Sequence, residues 1–199
     1  MLYKEVLYIS LYMEKSSKFL KAIKIIFRNE GGYVNNPNDK GGKTNMGITQ
    51  STLNTAVKNK ITNISDVKNL TRDVCEDIYY KMYWLPSKAE DMFSPIDLIH
   101  FDIAVNSGIK NANILFQKTI NRLLGKDILI IDGIIGKQTF LQFNSLIKSK
   151  DDAINFSNTL LDLRKVFYEN IIRRNSSQKV FYNGWMNRIK HLRDTITKY

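Results

Sequence analysis

The chain has a single cysteine, Cys75, among 199 residues. That excludes an internal disulfide and any cysteine-based metal cluster. Two histidines, His100 and His191, are too few for a three-histidine site. No metal and no cofactor is expected. Proline is scarce, at three residues, and there is no Pro/Ser-rich linker and no clear repeat. Long apolar runs are missing as well. The run Val6 to Met13 is the nearest approach, and it is far short of the roughly 20 residues a spanning helix needs. It also lacks a small-residue cleavage site of the usual kind. Residues 1–15 therefore read as an N-terminal extension, with a weak signal peptide or a start at Met13 as the alternatives.

What is present is ordinary for a globular protein: 43% apolar and 25% charged residues. The charge is one-sided. Thirty Lys and Arg against 19 Asp and Glu give a formal +11, which points to an anionic partner. Nucleic acid, a membrane surface and an anionic wall polymer all qualify at this stage.

Apolar spacing of three and four predicts a mainly α protein of seven or eight helices, with at most a short β element. Phe19, Leu20, Ile23, Ile26 and Phe27 mark a helix from Ser17 to Glu30, ended by Gly31-Gly32. Further helices are expected over 51–60, over 71–84 with Thr71 as cap, and from Ser94-Pro95 to Gly108. Others follow over 111–124, 139–147, 152–172 and 185–197, and Ile128 to Ile131 reads as a short strand before the Asp132-Gly133 turn.

The stretch NEGGYVNNPNDKGGKTNMGIT, Asn29 to Thr49, carries the chemistry. Glu30 follows the apolar face of the first helix at spacings of three, four and seven. Partial desolvation and the negative end of the helix dipole both raise the pKa of a carboxyl placed there. A protonated carboxyl near neutral pH suits general-acid work on a glycosidic bond. The competing reading is a half-exposed helix end with a glycine cap. Asp39 either holds a water on the opposite face of a sugar or serves an Asx turn. Thr44 and Thr49 are candidates for a water or a sugar hydroxyl, and Thr49 is equally an N-cap. No GxxxxGK[ST] is present, so phosphate-loop chemistry is not expected.

These residues resemble the opening motif of glycoside hydrolase family 108, whose members include phage-type endolysins and secretion-linked N-acetylmuramidases. The resemblance continues in YYKMYW (Tyr79 to Trp84), FDIAVNSG (Phe101 to Gly108) and GWMNRI (Gly184 to Ile189). Leu115 to Thr139 resembles the family's C-terminal predicted peptidoglycan-binding region. One mild departure is Asn35-Asn36, where the family commonly has Asn-Asp. The resemblance covers about 16–197. It implies a lysozyme-like helical hydrolase that cuts the β-1,4 bond between N-acetylmuramic acid and N-acetylglucosamine. The family's proposed catalytic glutamate falls on Glu30, whereas Asp39 has no equally firm counterpart. Lytic transglycosylation and non-catalytic wall binding are the alternatives.

The implied layout is an extension over 1–15, a catalytic region over 16–108 and a helical wall-binding region over 109–199, packed as one unit. Tyr33, Tyr83 and Trp84 are aromatic candidates for lining a sugar cleft, with helix packing as the other reading. Asp102 and Asn106, four apart, either hydrogen-bond an acetamido group or form an internal network. The expected partner is the peptidoglycan glycan strand, with no nucleic acid. The chain is expected to be a monomer, made in the cytoplasm and acting on the wall. Passage outward would then fall to a separate membrane pore or secretion system.

Overall fold

The computed structural model describes residues 15–28, 33–34 and 42–199. Glu30, Gly31, Gly32 and Asp39 lie outside the described residues, as does the extension before residue 15. Eight α-helices and one two-stranded hairpin are present among the described residues.

Helix α1 (Ser17–Arg28) turns Phe19, Ala22, Ile23, Ile25 and Ile26 inward. Burying each of the larger side chains stabilises the fold by about 1.5–3 kcal/mol. That packing, more than intrinsic propensity, holds so short a helix. Strands β1 (Thr44–Asn45) and β2 (Ile48–Thr49) pair antiparallel, Thr44 opposite Thr49. Met46 and Gly47 make the turn, both at positive φ (47° and 77°). That backbone is the tight hairpin turn that favours glycine. The motif's second half is thus a hairpin.

Helix α2 (Gln50–Lys58) follows at once, and α3 (Arg72–Tyr79) is capped by Thr71 as expected. The expected helix to Trp84 changes character at Tyr80. Residues Tyr80–Trp84 form a π-helical turn, closed by Leu85 N–H donating to the Tyr80 carbonyl at 3.0 Å. A wider turn rotates the following side chains relative to α-spacing. Tyr79, Tyr80 and Trp84 are all buried, and only Tyr83 of the four stays half-exposed.

Helix α4 (Ile96–Ser107) is the axle of the fold. Every side chain from Ile96 to Ala104 is buried. A helix apolar on all sides must be surrounded. Here α1, the π turn, α5 (Ile109–Leu124) and α7 (Lys150–Arg174) pack around it. Gly108, at φ 84°, lets the chain reverse directly from α4 into α5. Helix α6 (Lys137–Leu146) lies against α5, and α8 (Tyr182–Ile196) against α7.

The strand expected over 128–131 is absent. Three amide side chains on one face of α5, four residues apart, hold this segment instead. Asn121 donates to the Leu129 carbonyl (2.8 Å) and accepts from its N–H (2.9 Å). Gln117 accepts from Gly133 N–H (2.8 Å) and donates to Asp132 and to the Ile134 carbonyl. Asn113 donates to the Gly133 carbonyl at 3.0 Å. Apolar composition alone cannot tell such a stapled segment from a strand. No helix among the described residues is long and apolar enough to cross a membrane.

Candidate functional site

Helix α1 delivers its last described residue, Arg28, two positions before Glu30. What surrounds that helix end is described. Phe27 meets Tyr79 edge to face at 5.8 Å. The Tyr79 hydroxyl donates to the Met46 carbonyl at 3.1 Å, tying the hairpin turn to α3. Tyr83 packs on Tyr79 at 5.9 Å. Val34 bridges to Thr44 through two backbone hydrogen bonds of 2.8 and 2.9 Å. The two flanks of the glycine-rich stretch are thereby joined, and the end of α1, the hairpin and the Tyr79–Tyr83 face meet at one place.

Of the expected contact residues, Tyr33 is 41% exposed and available to a ligand. Tyr83 is half-exposed, on the Tyr79 face. Thr44 is half-buried, and among the described residues its hydroxyl reaches the Gly42 carbonyl, at 3.5 Å. The Thr49 hydroxyl is committed. It accepts from Thr52 N–H at 3.1 Å, which satisfies an orphan donor at the start of α2.

Two expectations need correcting. Trp84 has no exposed surface and cannot offer a face to a sugar. It fills the core against Phe19 and Phe101, and its indole N–H donates to Glu90 at 2.5 Å. The physical reason is its face: Tyr80, four residues earlier, is buried beside it, and both pack on Phe19 of α1. Asp102 is likewise fully buried. It accepts from Arg164 Nη1 at 2.6 Å and from Arg188 Nε at 2.9 and 3.1 Å. Burial alone would push its carboxyl up, but the two guanidiniums outweigh it and hold the pKa below the usual carboxylate range. Asp102 therefore belongs to an internal network. Asn106 turns back on α4 and donates to the Asp102 carbonyl at 2.9 Å, while remaining exposed.

Sequence reading missed Glu90 and Arg164. Glu90 accepts from the Ser16 hydroxyl at 2.6 Å as well as from Trp84. It thereby pins the start of α1 to the π turn. Arg164 is fully buried within α7. A lone arginine in a long polar helix gives no local sign of burial, so only its distant partner Asp102 marks it. His100 is fully buried too, its Nε2 facing the Ser87 carbonyl at 3.1 Å. Burial pushes its pKa down to about 4. A proton-transfer role on substrate is closed to it by position. Among the described residues, no group of three or more His, Cys, Asp or Glu side chains could hold a metal ion.

Comparison with known proteins places this geometry. Residues 23–108 match the family described as glycosyl hydrolase 108. Residues 111–190 match a predicted peptidoglycan domain. Among solved structures the chain is similar to SagA of Brucella abortus, with 32% sequence identity and a TM-score of 0.72. That similarity covers 91% of this chain and 94% of SagA. Among curated proteins none matches. With a hydrolase region followed directly by a peptidoglycan region, and one-third identity to SagA over nearly the whole length, the chain belongs to glycosyl hydrolase family 108 and is a peptidoglycan-acting hydrolase of the glycan backbone.

Proposed function

We propose that the chain is a lysozyme-type N-acetylmuramidase that hydrolyses the β-1,4 bond between N-acetylmuramic acid and N-acetylglucosamine, with Glu30 as general acid. The observation that supports this is the convergence of the α1 end, two residues before Glu30 in sequence, with the hairpin and the Tyr79–Tyr83 face. The carbonyl end of a helix carries partial negative charge, which favours the protonated form of a carboxyl placed there. Glu30 gives its proton to the glycosidic oxygen as the bond breaks. A water then adds to the anomeric carbon, and its proton leaves to a base.

Asp39 is the proposed base, with the Thr44 hydroxyl as the second candidate for holding the water. Tyr33 and Tyr83 are the proposed sugar contacts, with the exposed Asn106 side chain as a further one. Residues 16–108 would form the catalytic region, and 109–199 a wall-binding region. The protein would work as a monomer outside the cytoplasm, reaching the wall through a separate pore or secretion system.

The test is fragment analysis of purified peptidoglycan after incubation with wild type and with Glu30→Gln. New reducing ends from wild type, lost by at least about 10²-fold in the variant, are expected. Retained release in Glu30→Gln would reassign the acid. Anhydro ends in place of reducing ends would make the reaction a transglycosylation and remove the need for Asp39.

A further inference from the structure

The outer face of α1 is a line of cations. Lys21, Lys24 and Arg28 stand at i, i+3 and i+7, so they share one side of the helix. All three are exposed. Across from them runs the end of α8, and between the two helices lies a groove of about 480 Å3. Lys198 forms its opposite wall, and Ile25 with the Tyr199 side chain supplies apolar surface. Lys21 is already engaged. Its Nζ donates to the Tyr199 main-chain oxygen and sits 4.1 Å from the centre of the Tyr199 ring. Lys24, Arg28 and Lys198 make no ion pair among the described residues. Asp194 and His191 also line the groove. A second depression of about 290 Å3, with Phe27 and Arg72, shares Lys24 and Arg28 with the first. The cationic surface is thus continuous along α1 towards the residue that precedes the catalytic segment.

Three uncommitted cations around an apolar strip suit a ligand that carries carboxylates on an aliphatic backbone. Peptidoglycan contains such a group beside every scissile bond: the peptide stem on its muramic acid. We infer that the α1–α8 groove binds the peptide stem of the strand being cut. Its carboxylates lie against Lys24, Arg28 and Lys198, and its aliphatic portions lie on Ile25 and Tyr199. This rests on the muramidase reading, because that reading puts the scissile bond at the end of α1. It adds a reason why the enzyme should prefer stem-bearing wall to bare glycan. It also gives part of the +11 charge a defined task.

The experiment compares intact peptidoglycan with the same material stripped of its stems by an amidase. Wild type and Lys24→Glu/Lys198→Glu are assayed on both for reducing-end release, after thermal melts establish that the variant is folded. Sedimentation with each wall preparation gives binding independently of turnover. Wild type should prefer intact over stripped wall by about five-fold in kcat/KM and in binding, the scale set by two exposed charge pairs. In the double variant that ratio should fall to near one, and the wild-type ratio should shrink with added salt. An equal ratio in wild type and variant overturns the inference. So does a wild-type ratio of one. Anionic phosphatidylglycerol vesicles form a third arm. Loss of vesicle binding in the variant with the wall ratio unchanged would assign the groove to lipid phosphate and overturn the inference as well. If wild type opens no glycosidic bond in either wall, the muramidase reading fails while sedimentation still reads the groove.

Discussion

Asp102 and Arg164 meet at 2.6 Å with neither side chain exposed. They join α4 to α7, and Arg188 on α8 closes on the same carboxylate at 2.8 Å. The joint links the hydrolase-matched part of the chain to the peptidoglycan-matched part. Desolvating these charges is costly, so the joint adds little net stability over an apolar substitute. Its loss from one side only is another matter.

Replacing Asp102 with Ala leaves Arg164 buried without a counter-charge. The expected cost is about 3–5 kcal/mol, read as a shift in the urea midpoint. Asp102→Leu combined with Arg164→Met should recover most of that loss. Because the folded carboxyl titrates below its unfolded value, its stabilisation is complete above about pH 3.9. It disappears as pH falls through the lower folded value. Wild type should therefore lose stability on the acid side of that point more steeply than Asp102→Ala does.

His100 acts in a milder range. Its folded pKa of about 4 lies below the unfolded value of about 6.5. The unfolded chain binds the proton first, so stability is full above about 6.5 and declines as pH falls towards about 4. The Ser87 carbonyl can only accept, so Nε2 carries the hydrogen of the neutral ring. His100→Gln should flatten the stability profile across that window by roughly 2–3 kcal/mol relative to wild type. Chemical denaturation at successive pH values measures it. A resonance assigned to the His100 imidazole that titrates near about 6.5 in the folded protein would contradict the buried neutral form.

Trp84→Phe removes the N–H donated to Glu90 and leaves a gap between Phe19 and Phe101. A loss of about 1–3 kcal/mol is expected. Below the new melting point, kcat and KM on peptidoglycan should match wild type. A raised KM at full folding would restore Trp84 as a sugar contact. Trp84 fluorescence should also resist quenching by iodide, as suits an indole without exposed surface.

Asp39→Asn probes the proposed base. A fall in kcat of about 10²–10⁴-fold with little change in melting temperature is expected of a general base. Near-normal kcat would shift the water-holding role to Thr44, for which Thr44→Val is the matching variant.

The helices were legible because their signals are local. The spacing of Phe19, Ile23 and Ile26, the Thr71 cap and the Ser94-Pro95 start each sit within a few residues of what they specify. The family was legible for the same reason: the residues of the Asn29 to Thr49 motif are adjacent in sequence. What escaped depends on partners far along the chain. Asp102 and Arg164 are 62 residues apart. Trp84 gives no local sign of which way it faces, and the Glu90 that accepts from its N–H is held by Ser16, 74 residues away in sequence. The segment Ile128 to Ile131 misled because isoleucine-rich sequence suits a strand, while its hydrogen-bond partners were side-chain amides on α5.

Those amides have a bearing on how the protein behaves at high concentration. The segment carries exposed isoleucines at Ile130 (83%) and Ile134 (69%). In a sheet, such residues on an unpaired edge would invite a second molecule to add a strand. Here Asn113, Gln117 and Asn121 hold the backbone at Leu129 and Gly133 and keep the segment bent away from extended pairing geometry. The isoleucines can be displayed to a wall without offering the ribbon on which fibrils grow.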